Sequence, residues 1–279
     1  MNHFTIDKEP YSIASKWSEL TAEQVLTLAR WFGKSQAYHR IKIEFAFYLL
    51  GLKVMIRKPI DTLDGYLYYV TSNRKKIHLL STASVAAVAR QVDWLFRTYN
   101  TATGDSISLN PLLINNPVRD IKIRFCTLRG PDDGLGNITF REFIFAETFL
   151  HRYHTTQQPA WLAKFMATLW HPMRFGIAQP FRQEKVDQWS KRTLRIKPHV
   201  AMAIGWYYQG SKEFLMRKYP HVFSVGGGKS TDPFESYMHL TATLARSNPT
   251  QMEQVRDANI HDTLVSLEQM IKDSKPKRK

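Results

Sequence analysis

The chain has 279 residues, with 39 Lys or Arg and 24 Asp or Glu, for a formal charge of +15. Apolar residues make up 43% and aromatics 13%, enough large apolar groups to offset the entropy of folding, which excludes a disordered chain. A chain of this length buries a sizeable core without staples, and its one cysteine, Cys126, excludes an internal disulfide and a cysteine-rich zinc site.

Residues 1–10 lack a basic segment leading into an apolar core, so no secretory signal is expected. The most apolar stretch, Phe45 to Ile56, contains Lys53 and Gly51 and falls short of the roughly 20 residues a spanning helix needs. It is expected to be a buried helix of a soluble, intracellular protein.

In chain order, Thr21-Ala22-Glu23-Gln24 forms a capping-box pattern ahead of Val25, Leu26, Leu28, Ala29 and Phe32, which predicts a helix. A second helix is predicted over about 40–56. Gly65 to Leu80 alternates as a hairpin, with its turn at Ser72-Asn73-Arg74. Ser81 caps a predicted helix that runs to about Thr98 on Val85, Val88, Val92, Leu95 and Phe96. Residues 100–117, rich in Asn, Ser and Pro, predict a loop. Ile121, Ile123 and Phe125 alternate with Lys122 and Arg124 as one half-buried strand over about 118–128.

Thr139-x-x-Glu142 opens a helix to about Tyr153, and Pro159 starts another that ends before Pro172. From Gln183 onward the pattern is helical. Pro198 begins a long helix to about Tyr219, Asp232-Pro233 and Asn248-Pro249 each place a cap before an N1 proline, and a last helix covers about 259–271. The expected fold class is α+β, mainly α, with a helical bundle-like body and a small antiparallel β element in the N-terminal half. The irregular stretch at 172–182 suggests a boundary, giving a mixed region 1–175 and a helical region 176–279, or one compact domain.

Four patterns bear on chemistry. Gly226-Gly227-Gly228-Lys229-Ser230-Thr231 resembles a phosphate loop, but Phe223 occupies the position of its first glycine, and Asp232-Pro233 caps the next helix instead. Gly130-Pro131-Asp132-Asp133-Gly134-Leu135-Gly136 lacks dinucleotide spacing, and its two aspartates repel a pyrophosphate, so a turn is expected. Glu147, His151 and His154 share one face of a predicted helix, yet no fourth metal ligand follows at a family spacing. No Gly-x-Ser-x-Gly elbow is present, and Cys126 stands alone.

The charge is the strongest bulk signal. Between Arg182 and Lys218 nine basic residues face three acids. Arg74, Lys75 and Lys76 crowd the hairpin tip, and Lys275 to Lys279 form a basic tail. Such clusters attract phosphate backbones or acidic protein surfaces, or simply keep a face solvated. Arg74, Lys75, Lys76, Lys191, Arg192, Arg195 and Lys197 are the candidate contact surface; no catalytic, cofactor-binding or metal residue is expected.

Several segments occur in a familiar order. Gly130 to Asn137 runs into ITFREFIFAETFLHRY at 138–153, then WLAKFMATLWHP at 161–172, AIGWYYQGSKEFLMRKYPHVF at 203–223, a helix at 235–245, and NIHDTLVSLEQMI at 259–271. Over roughly 130–271 this resembles proteins of Bacteroidetes-type phages and prophages that are encoded among tail genes and suspected to be tail-assembly chaperones. The chain departs from that pattern in ending 161–172 with Leu169-Trp170-His171-Pro172. The resemblance implies a non-enzymatic tail structural or assembly protein with other tail or virion proteins as partners, in the host cytoplasm or on the virion. A long acidic or helical partner, such as a tape-measure protein, fits the +15 charge. The alternatives are a sequence-nonspecific nucleic-acid binder that uses the basic clusters and an enzyme with an unrecognised site.

Overall fold

A computed structural model describes residues 1–34, 37–60, 65–72, 76–101, 104–224 and 232–274. The fold is α+β and mainly α, with small antiparallel sheets. The chain divides into two compact units, Met1–Pro111 and Leu112–Lys279. The division therefore falls at residue 111, well before the boundary expected near 175. The irregular 172–182 stretch is a hairpin in the sheet of the second unit, and the helices on either side of it pack on each other.

In the first unit, β1 (Asn2–Ile6) and β2 (Glu9–Ile13) pair as a hairpin, with Asp7 and Lys8 at positive φ in its turn. The expected capping box is formed. Thr21 N–H donates to Gln24 Oε1 at 2.8 Å, and Gln24 N–H donates back to Thr21 Oγ1 at 3.3 Å. It opens α1 (Ala22–Phe32), which buries Val25, Leu28 and Ala29. Next, α2 (Tyr38–Leu50) buries Ile41 and Phe45. Gly51, at φ 66°, stops α2 in the left-handed conformation that glycine adopts without steric cost. The apolar run Phe45–Ile56 is thus a helix end followed by a strand, which corrects the single helix expected there.

Three strands follow in the order β3 (Leu52–Ile60), β4 (Gly65–Ser72) and β5 (Ile77–Ser81). The hairpin turn expected at 72–74 lies outside the described residues from Asn73 on. His78 is buried, with Nδ1 3.1 Å from Asp7 Oδ2 and Nε2 2.8 Å from the Tyr11 hydroxyl, and so ties the first hairpin to β5. Ser81 caps α3 (Thr82–Arg90) as expected. That helix stops eight residues short of Thr98, because β6 (Phe96–Thr101) pairs with β7 (Gly104–Leu109). The loop expected at 100–117 therefore contains a hairpin, and strand pairing overrides the helical spacing of Leu95 and Phe96.

In the second unit, β8 (Asp120–Ile123) and β9 (Cys126–Arg129) form a hairpin where one strand was expected. A 3-10 turn at Asp133–Leu135 leads to α4 (Phe140–Thr156), opened by the Thr139–Glu142 capping box. Then come α5 (Pro159–Leu169), β10 (His171–Arg174), β11 (Ile177–Ala178), α6 (Val186–Thr193), α7 (Pro198–Lys218), α8 (Pro220–Ser224), α9 (Pro233–Leu244), α10 (Pro249–Asp257) and α11 (Ile260–Ser274). The sheet order is β11-β10-β9-β8, all antiparallel.

The second core forms where α4, α5 and α7 meet. The Tyr208 ring lies edge-on to Phe165 at 4.9 Å and near Phe143, joining the three helices. Its hydroxyl donates to Glu147 Oε1 at 2.8 Å, and Lys212 Nζ donates to the other carboxylate oxygen. The neighbouring Tyr207 donates to the Asp132 carbonyl at 2.6 Å and accepts from Leu135 N–H at 3.2 Å, pinning the 130–136 loop. Burial pushes both phenols above their ordinary pKa, and Glu147 adds to the rise at Tyr208. Trp170 Nε1 donates to the Val118 carbonyl at 2.8 Å. The indole fills the space where a Cβ on Gly130 would sit, so Gly130→Ala is expected to cost about 3 kcal/mol through overpacking and the lost hydrogen bond. Gly176→Ala meets no neighbour and is limited to the strain of its φ of 79°, about 1 kcal/mol. Denaturant unfolding of the two variants measures the difference.

Glu268 on α11 caps α8. It accepts His221 N–H at 2.9 Å and Val222 N–H at 3.1 Å, lies 2.6 Å from His221 Nδ1, and faces Lys272 at 3.4 Å. Burial raises its pKa, but the hydrogen bonds and the ammonium outweigh burial and leave the carboxyl below its ordinary value. The stabilisation is complete above the unfolded pKa, about 4.3, and fades as pH falls through the folded one. Urea midpoints between about pH 5 and pH 3 should fall more steeply for the parent chain than for Glu268→Gln; equal slopes contradict this.

Candidate functional site

Two surfaces, one on each unit, carry exposed apolar side chains among cations. On the first unit, the alternation of β4 and β5 sends Val70, His78 and Leu80 inward. The opposite face presents Tyr69, Leu79 and Ile77, with Ile56 of β3 opposite Tyr69. Ile56, Ile77 and Leu79 are all exposed, Ile77 to 72%. Lys53 and Lys58 stand on the same face by register, with Lys58 Nζ 5.5 Å from the Tyr69 ring centroid. The three strands contain no acidic residue. The result is an uncovered aliphatic sheet face bordered by lysines.

On the second unit, the surface is one end of the sheet. β8 and β9 are joined by the two-residue loop Arg124-Phe125, with Arg124 at φ 50°. β10 and β11 are joined by Phe175-Gly176, at φ 52° and 79°. In the Phe175-Gly176 loop both positions have positive φ, which matches the twist of the flanking strands but favours Gly, Asn and Asp. A phenylalanine there is strained, at about 1–2 kcal/mol. Both rings point into solvent: Phe125 is 105% exposed, Phe175 90% and the adjacent Ile177 71%. Arg129 pairs with His171 and Leu128 with Pro172. Counting on in that register sets Phe175 opposite Phe125, so both loops project from the same end of the sheet. Each tip carries the dipeptide Arg-Phe.

The predicted basic surface joins this edge in part. Arg192 of α6 donates from Nη1 to Cys126 Sγ at 3.3 Å, at the first residue of β9. Lys191 and Arg195 are exposed beside it, and Lys197 is exposed farther on. Lys76, on the first unit, is paired with Glu9. Arg74, Lys75, the 226–231 loop and the 275–279 tail lie outside the described residues. The expected face of Glu147, His151 and His154 does not converge. Glu147 is covered by α7, whereas His151 and His154 are exposed. Among the described residues no three His, Cys, Asp or Glu side chains converge on a metal position.

The hairpin tips escaped sequence reasoning because Arg124-Phe125 lacks the Asn, Asp or Gly that marks a two-residue turn. The signal that was present is the repeated Arg-Phe, once inside an alternating segment and once before a glycine. No described helix is long and apolar enough to cross a membrane.

If the ring at 175 is kept for something other than stability, then Phe175→Asn, which suits the left-handed backbone, should leave the thermal midpoint unchanged or raise it by up to a few degrees. A drop of several degrees in calorimetry would show that the ring is part of the core. No protein-family model, curated protein or solved structure matches the chain.

Proposed function

We propose that the chain is a non-enzymatic structural or assembly protein of a phage or prophage tail. In this reading it acts chaperone-like by holding another tail or virion chain through protein contacts, in the host cytoplasm or on the particle. The observation that carries the reading is the uncovered face of β3, β4 and β5. Exposed Ile56, Ile77 and Leu79 between Lys53 and Lys58 suit an amphipathic helix with an apolar stripe and acidic flanks. A long helical tape-measure chain is the partner this reading expects. The resemblance over roughly 130–271 adds support, and it falls wholly within the second unit. The start of α4 meets the start of α11 through Phe140 N–H to the Ala258 carbonyl at 2.9 Å and Ile260 N–H to the Ile138 carbonyl at 3.1 Å, and α4 also packs on α5 and α9.

The test is co-expression of the tagged chain with the tape-measure chain from the same genome, followed by nuclease treatment and purification. Recovery of the pair is expected. Ile77→Glu with Leu79→Glu adds two negative charges to exposed positions and should weaken the pair at least about tenfold, or 1.4 kcal/mol, without changing the melting temperature. Recovery of the chain alone, or binding indifferent to both glutamates, would overturn the reading.

A further inference from the structure

We propose that the end of the second unit's sheet, formed by the Arg124-Phe125 and Phe175-Gly176 loops with the adjoining α6, binds single-stranded nucleic acid. Phe125 and Phe175 stack on bases while Lys122, Arg124, Arg174, Lys191, Arg192 and Arg195 follow the phosphates. This site goes beyond the protein contacts assigned to the first unit and does not depend on them.

The distribution of ion pairs is the first argument. In the second unit, Arg119, Arg129, Arg141, Lys164, Lys212, Arg217, Arg256 and Lys272 are each paired with a carboxylate. None of the six cations at the hairpin end has an acidic partner among the described residues; Arg152, Arg182, Lys185, Lys197, Lys218 and Arg246 of the same unit also have none, but only the six lie on the two hairpins or at the C-terminal end of α6. The nearby acids are committed elsewhere, Asp120 to Arg129 and Asp187 to Lys164. Only Glu184 remains on the 171–197 segment. A cluster of uncompensated cations sets up a positive potential that a chain of phosphates relieves by releasing its counterions.

The rings are the second argument. A fully exposed phenylalanine on a strained turn gives the fold nothing and costs it solubility. Two of them, opposite each other by register on neighbouring hairpins, each preceded by an arginine, supply the parts of single-strand contact: flat apolar faces for bases and cations for the backbone. The Arg174 guanidinium already lies 5.3 Å from the centre of the Phe175 ring, so cation and ring act at the same spot. A protein partner needs a preformed pocket to cover a ring that projects this far. An unstacked base covers a ring with its own face and needs no pocket. Duplex bases are stacked away inside the helix, which selects the single strand.

The experiment titrates the full chain into a fluorescein-labelled oligothymidylate of about 16 nucleotides, the upper end of common single-strand site sizes. Fluorescence anisotropy is read at salt concentrations from about 50 to 200 mM. Parallel titrations use the same sequence in a duplex, poly-glutamate, and phosphatidylserine vesicles. The single strand should bind tightest, with affinity falling steeply as salt rises. Phe125→Ser with Phe175→Asn should weaken it at least about tenfold without altering the salt slope. Arg174→Gln and Lys191→Gln should each flatten the slope by about 0.7. The thermal midpoint of each variant shows that it is folded. The proposal is overturned if the single strand fails to bind at the lowest salt, if the two ring substitutions leave affinity unchanged in folded protein, or if poly-glutamate or the vesicles bind more tightly than the oligonucleotide.

Discussion

The second unit depends on two consecutive tyrosines. Neighbours on a helix point about 100° apart, so Tyr207 and Tyr208 reach different parts of the structure from one turn of α7. One hydroxyl holds the Asp132 carbonyl and the Leu135 amide; the other holds Glu147 of α4. Both rings are fully buried. A buried phenol without a partner loses about 1–3 kcal/mol, so a change in the rotation or register of α7 strips both hydroxyls of their partners at once. Glu147, held by Tyr208 and by the Lys212 ammonium, is likewise costly to leave alone. This polar node fixes α7 against both α4 and the loop that enters it.

That constraint reaches the surface through the same loop. Gly130 lies against the Trp170 indole, and Trp170 binds the Val118 carbonyl, so the end of β9 is clamped to the start of β10. Two hairpins built on clamped strands project their tips from one end of the sheet. Arg192 then adds α6 at the base of the first tip through Cys126. The edge is a rigid platform whose only strained backbone is in its loops, at Arg124 and Phe175. Rigidity under an exposed aromatic lowers the ordering cost of any contact the ring makes.

Much of the helical half is legible in the sequence because capping is local chemistry. Thr21, Ser81, Thr139, Asp232 and Asn248 all accept the helix amides that their side chains suggest. The features that stayed hidden depend on partners far along the chain. Nothing near Phe96 shows that β7 will pair with it. Gly51 inside an apolar run suits a helix interior or a helix stop, and its positive φ decides which. The hairpin at 171–178 exists because β9 offers an edge more than forty residues earlier in the chain. For the candidate surface, the basic run at 182–197 was visible, but its place beside two aromatic tips was not, since the link is one long-range contact between Arg192 and Cys126. Composition places cations on the exterior; only the fold shows which of them lack carboxylate partners.

The two surfaces differ in chemistry, and that difference is the core of the account: an aliphatic sheet face with lysines on the first unit, and arginines with projecting rings on the second. Hydrogen–deuterium exchange of the chain, alone and in the complex recovered from its native lysate, tests it most directly. Slowed exchange is expected at 53–58 and 77–81 that persists after nuclease treatment, and at 122–127 and 173–178 that nuclease abolishes. Protection confined to other segments, or the same nuclease response at both surfaces, would contradict it.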